Sequence, residues 1–118
     1  DRIDLKNLSI NQDPEEYVYS LVNLAIKRNI DGIVCSPQEL VYLKKKSKNN
    51  LIYITPGIRL KKSKDDQKRT LTPGEAIKNG ADILIIGRPI TQSKNPVQAI
   101  NKIKNDIKAK LKLNLDEN

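Results

Sequence analysis

Histidine is missing from the chain altogether. That removes histidine-based nucleophile triads and histidine-bearing zinc sites from consideration. The chain has one cysteine, Cys35, so no disulfide framework is possible, and no companion ligand stands near it in sequence. Cys35 reads as a small buried residue at a strand end, because free cysteines are mostly buried. Phenylalanine and tryptophan are also absent, and aromatics make up 3% of the chain. Platforms on which bases could stack are therefore scarce. No apolar run approaches the roughly 18 residues of a membrane span, and no charged-then-apolar leader opens at Asp1. These absences lead to the expectation of a soluble, cytoplasmic chain with no metal and no membrane contact.

What is present is charge and a core. The 118 residues include 22 Lys and Arg against 14 Asp and Glu, a formal charge of +8. Clustered cations gain affinity for nucleic acid by releasing counterions. Here the lysines are scattered over every predicted helix and loop, and Ile and Asn are abundant too, so the bias looks like genome composition. No nucleic-acid partner is expected. A hydrophobic content of 37% supports one modest domain or part of one.

One start signal recurs four times: Asp13-Pro14-Glu15-Glu16, Ser36-Pro37-Gln38-Glu39, Thr72-Pro73-Gly74-Glu75 and Asn95-Pro96-Val97-Gln98. Each is a cap residue, a proline at the first helical position and an acid or amide at the third. Four helices are announced by one chemistry. Between them lie three apolar runs, Gly32 to Cys35, Leu51 to Ile54 and Ile83 to Ile86. The last reads as a strand buried on both faces. The first twelve residues read as an irregular segment or a short helix. The final helix is expected from Pro96 to about Lys110, with a frayed tail from Leu111 to Asn118. Asp31 and Asp82 are expected to cap or terminate helices at the amino ends of strands.

Helices alternating with apolar runs imply parallel strands joined by right-handed crossovers. Three strands cannot close a barrel, and a complete barrel of eight βα units takes about 250 residues. The chain looks like half of such a fold.

In parallel α/β proteins ligands gather at the carboxyl ends of the strands. Two clusters reach that edge: Thr55-Pro56-Gly57-Ile58-Arg59 after the second strand and Gly87-Arg88-Pro89 after the third. Glycine lets a ligand approach the backbone, and arginine offers a forked donor suited to phosphate. The polar stretch from Leu60 to Leu71, long for a βα connection, reads as a lid or binding loop and contains Gln67. Arg59 by itself fits a solvated turn residue equally well, and a lone loop glutamine is ordinarily exposed. Taken together, spacing and charge point to a phosphorylated small molecule.

Four stretches taken in order carry a family resemblance: Asp31-Gly32-Ile33-Val34-Cys35-Ser36, Thr55-Pro56-Gly57-Ile58-Arg59, Asp66-Gln67-Lys68-Arg69 followed by Thr72-Pro73, and Ile86-Gly87-Arg88-Pro89-Ile90-Thr91. From about Asp13 to Lys108 the chain resembles the C-terminal half of bacterial orotidine 5'-phosphate decarboxylases. The resemblance implies the C-terminal portion, about three βα units, of a (β/α)8 TIM barrel within a single decarboxylase domain. It implies a cofactor-free enzyme that is a homodimer when full length and converts orotidine monophosphate to uridine monophosphate and CO2. It implies that Arg59, Gln67, Gly87 and Arg88 contact the substrate phosphate.

The family's catalytic Asp-x-Lys-x-x-Asp signature is absent, so no catalytic residue is assigned here and the 118 residues are expected to be inactive alone. Asp106-Ile107-Lys108 begins like that signature but lacks its later Asp. Two alternatives are another phosphate-binding barrel, such as a sugar-phosphate decarboxylase or synthase, and a free-standing basic module for phosphate or nucleic acid. The Asp66-Gln67-Lys68-Arg69 and Thr72-Pro73 run argues against the former, and the unpaired strand edges of an isolated half-barrel argue against the latter.

Overall fold

The computed structural model describes residues 1–46, 50–60 and 70–116, with side chains in the last helix described as far as Lys112. Gln67 and most of the long polar connection lie outside the described residues. The elements run α1 (Arg2–Asn7), α2 (Pro14–Lys27), β1 (Gly32–Val34), α3 (Pro37–Lys46), β2 (Ile52–Thr55), α4 (Pro73–Lys78), β3 (Ile83–Leu84), α5 (Arg88–Thr91) and α6 (Pro96–Asp116). The strands form one parallel sheet in the order β1-β2-β3.

Proline at the first helical position starts α2, α3, α4 and α6, as the repeated signal predicts. The side-chain caps are less uniform. Ser36 with Glu39, and Thr72 with Glu75, close reciprocal capping boxes, each acid accepting the cap residue's N–H and each hydroxyl accepting the acid's N–H. Asn95 Oδ1 accepts the Gln98 N–H at 3.0 Å. Asp13 makes no such bond; its carboxylate sits 3.1 Å from Arg2 Nε instead. An ion pair with α1 has displaced the local cap.

The helix ends share a second device. After α1, α2 and α4 the chain enters the left-handed region at Ser9 (φ 60), Asn29 (φ 56) and Gly80 (φ 102). In each case that residue's N–H and the next one donate back to the final turn: Ser9 to Lys6 and Ile10 to Leu5, Asn29 to Ile26 and Ile30 to Ala25, Gly80 to Ile77 and Ala81 to Ala76. These are Schellman closures, which satisfy carbonyls left over by the helix and turn the chain sharply. In α2 and α4 the turn feeds the following strand.

The strand register decides which residues face the helices. Ile33 lies beside Tyr53, and Thr55 beside Leu84. On this side Cys35 and Tyr53 are buried with Val22 of α2, Leu40 and Leu43 of α3 and Ala76 of α4, and Ile33, Leu84 and Ile86 pack against that core. The opposite side carries Ile52, and Val34 beside Ile54 beside Ile83. Val34 is 64% exposed there, and Ile83 and Ile85 are each 49% exposed. The apolar run at Ile83 to Ile86 is therefore not buried on both faces as its sequence suggests. Half of it packs on helices and the other half faces outward.

Three other expectations change. Asp82 does not serve a helix: its Oδ2 accepts the Tyr53 N–H at 2.8 Å, and its own N–H donates to the Tyr53 carbonyl at 2.9 Å. It clips β2 to the start of β3. Asp31 likewise joins strands, its carbonyl accepting the Ile52 N–H at 2.9 Å. The supposed tail continues the last helix to Asp116, since no Gly or Pro follows Pro96 and Lys, Leu and Ala favour helix.

α6 crosses α4 at Gly74. A β-carbon there would stand 2.5 Å from the Asp106 carbonyl oxygen, and the Gly74 N–H donates to Asp106 Oδ2 at 2.7 Å. Asp106 thus belongs to a helix crossing. Gly74→Ala should force the helices apart and lower unfolding free energy by about 1–3 kcal/mol, the usual cost of overpacking. Denaturant unfolding measures this directly, and an unchanged midpoint would mean that the crossing is not tight.

Candidate anion site

At the carboxyl edge of β2 the chain turns through Pro56 and Gly57. Gly57 has φ +76, so its role is the left-handed second position of a Pro-Gly turn. The turn sends Ile58 into the core, where it is 1% exposed. Arg59 follows, half-buried, with its N–H donating to the Leu71 carbonyl at 3.1 Å and its Nη1 donating to the Ile58 carbonyl at 3.1 Å. One terminal nitrogen of the guanidinium is thereby tied to the scaffold.

At the end of the adjacent strand, Gly87 caps α5, a single turn that the sequence reading missed. No residue alternation marks so short a helix; the Gly-Arg-Pro start is its one sequence signal. A β-carbon at Gly87 would meet nothing within 4 Å. The space over that backbone is open to a ligand. Arg88 begins α5 and is exposed.

Arg59 and Arg88 line one cleft of about 550 Å³, together with Pro89 and Gln92. None of these four residues carries a carboxylate. Among the described residues the side-chain ion pair is Arg2 with Asp13, and neither Arg59 nor Arg88 has an acidic partner. Two guanidiniums on one cleft, with no counter-charge among the described lining residues, favour an anion between them. The structure therefore brings two of the four anticipated phosphate residues into one cleft and sets Gly87 next to the second. Gln67 lies outside the described residues. Gln92 was not anticipated. Its signal is positional, four residues after Arg88.

Another cleft, of about 660 Å³, lies at the opposite edge and is lined by Ile26, Asn29, Ile30, Asp31, Asn50, Leu51 and Ile52. Its described lining residues include an acid and no cation, which does not suit a phosphate.

Cys35 follows β1 inside the core, 4% exposed. Burial pushes its thiol above the ordinary cysteine value, and the neighbouring Thr55 opposes this only in part. Thr55 Oγ1 is itself buried without a hydrogen bond of good geometry among the described residues, so its contact with the thiol is loose. Because the raised value favours the protonated form in the folded chain, this group's stabilisation is complete below the unfolded cysteine value of about 8.5. It is lost as pH rises through the native value. Native Cys35 should react with a disulfide reagent at neutral pH far more slowly than the denatured chain does. Equal rates would contradict its burial.

Comparison with known proteins identifies the family and the fold. The family described as "Orotidine 5'-phosphate decarboxylase / HUMPS family" matches residues 1–103. The chain belongs to that family. The family match takes in the first twelve residues, and α1 with them. Orotidine 5'-phosphate decarboxylase from Coxiella burnetii is 46% identical over 111 residues, which are 93% of this chain and 47% of that protein. The enzyme of that name from Aquifex aeolicus is 47% identical over 92 residues, covering 77% of this chain and 40% of the relative. This chain spans about half the length of the curated relatives it matches. The crystal structure of orotidine 5'-phosphate decarboxylase from Lactobacillus acidophilus superposes with a TM-score of 0.71 at 30% identity, covering 91% of this chain and 43% of that one.

The fold is accordingly an α/β portion of a TIM barrel of the decarboxylase family. Among the described residues no helix is long and apolar enough to cross a membrane.

Proposed function

We propose that the chain is the phosphate-gripping part of an orotidine 5'-phosphate decarboxylase, which releases CO2 from orotidine monophosphate to give uridine monophosphate. The observation that carries this reading is the cleft lined by both Arg59 and Arg88, with no carboxylate among its described lining residues. Gly87 leaves room for a phosphoryl oxygen to approach the backbone, and Gln67 would add an amide from the long connection. None of these groups is suited to protonating carbon. The proton donor and the carboxylates beside the reacting carbon belong to the Asp-x-Lys-x-x-Asp signature, which this sequence lacks.

The division of labour is physically sensible. Energy from gripping a remote phosphate accelerates the reaction when it is realised more fully in the transition state than in the ground state. The outward apolar face of Val34, Ile52, Ile83 and Ile85 supports the same reading, because side chains on the inner face of a barrel are covered by the remaining strands. In the full-length enzyme we expect a homodimer in the cytoplasm, with no cofactor.

Titration of the chain with uridine monophosphate and with uridine tests the proposal. The nucleotide should bind measurably and the nucleoside far more weakly, and orotidine monophosphate should not be decarboxylated by these 118 residues. Equal affinity for nucleotide and nucleoside would remove the phosphate site. Decarboxylation by the chain itself would overturn the assignment of catalysis elsewhere.

A further inference from the structure

Gln92 is the unassigned polar member of the cleft that holds Arg59 and Arg88. It closes the turn of α5, its backbone N–H donating to the Arg88 carbonyl at 3.0 Å. Residues four apart on a helix share a face. The same backbone turn that brings Arg88 to the cleft therefore brings Gln92 beside it, and both residues line it.

Chemistry distinguishes what this side chain can add. A guanidinium has donors and no acceptor, so two of them cannot hydrogen-bond each other. A primary amide has both: its carbonyl can accept from a guanidinium while its NH2 donates to an anion. Pro89, the fourth lining residue, offers no side-chain polar atom. We infer that Gln92 is a further anion-binding side chain, whose NH2 donates to a phosphoryl oxygen while its carbonyl accepts from a neighbouring arginine. Three side-chain donors on one cleft suit a tetrahedral phosphate monoester with three free oxygens better than a planar carboxylate with two. This inference rests on the phosphate reading above and names a residue that sets its selectivity.

The experiment compares the full chain with Gln92→Leu and Gln92→Glu, using uridine monophosphate as the probe and uridine as the control, over a range of salt concentrations. Loss of one amide donor should weaken uridine monophosphate binding about tenfold in Gln92→Leu, a factor worth about 1.4 kcal/mol. The dependence on salt should be unchanged, because no charge was removed. In Gln92→Glu the new carboxylate competes with the ligand for both arginines, so the loss should be larger and the salt dependence shallower. Gln92 is exposed, and both variants should melt with the unaltered chain.

Unchanged affinity in both variants overturns the inference and leaves the arginine cleft standing. So does a matching loss for uridine, which would place Gln92 away from the phosphate. If the unaltered chain does not prefer uridine monophosphate over uridine, the phosphate reading fails and takes this inference with it.

Discussion

In the full-length enzyme Arg88→Ala should lower affinity for uridine monophosphate by about 2–5 kcal/mol, the range found when one partner of a desolvated, hydrogen-bonded charge pair is truncated. The magnitude discriminates between two physical situations. An exposed ion pair in bulk water is worth about 0–1 kcal/mol, and Arg88 is exposed in the free chain. A loss above that ceiling requires the ligand itself to exclude water from the guanidinium, which is what a phosphate seated between Arg88, Arg59 and the open backbone at Gly87 would do. Arg59→Ala should be similarly costly, since its guanidinium is already tied to the Ile58 carbonyl and loses less freedom on binding. The double variant should lose less than the sum of the two, because the first substitution also removes the repulsion between the cations. Calorimetric titration at two ionic strengths reads all three. A change in Arg88→Ala below experimental error would take Arg88 out of the site.

The arginine cleft was legible because it depends on strand order. Once three apolar runs are read as parallel strands, the residues after each run must arrive at one edge, and Arg59 and Arg88 follow from their positions at the ends of neighbours β2 and β3. Helix starts were legible for a similar reason, since proline at the first helical position loses no hydrogen bond. Whether a cap side chain closes was not legible, because Asp13 had an alternative in Arg2 and sequence spacing gives no hint of a tertiary rival. Asp82 shows the same limit. Its position before a strand suggested a helix cap, whereas its partner is the Tyr53 N–H, 29 residues away.

The misreading of Ile83 to Ile86 has a different origin. An unbroken apolar run says that both sides of a strand avoid water in the folded protein, and it does not say which chain segment covers each side. In these residues α2, α3 and α4 cover one side, and Ile83 and Ile85 remain outward. Gln92 was missed because one turn of helix is too short to impose a pattern. Four-residue spacing from an arginine carries meaning only after α5 is known to be helical.

Tyr53→Ala should be the most destabilising single truncation in the chain, costing about 3–5 kcal/mol by analogy with other buried aromatics. Tyr53 is 0% exposed and sits in the middle strand of the sheet. Its ring packs among α3, α4 and the strands, and the Lys44 ammonium lies 4.1 Å from the ring centroid. The Lys44 stem in turn fills the space over Gly80, where a β-carbon would stand 2.7 Å from Lys44 Cε. Removing the ring therefore opens a cavity, strips a cation–π contact worth about 0.5–2 kcal/mol, and frees the lysine stem that braces the Schellman turn at the end of α4. The backbone bonds between Tyr53 and Asp82 survive the substitution, so the strands can still pair while the helical layer loosens. Against a typical domain stability of about 5–15 kcal/mol, the loss leaves little margin. Tyr53→Phe, which keeps the ring beneath Lys44, should cost less. If Tyr53→Ala unfolds at the same denaturant concentration as the unaltered chain, the core does not centre on β2, and the packing of α3 and α4 must be carried by Leu40, Leu43 and Ile58 alone.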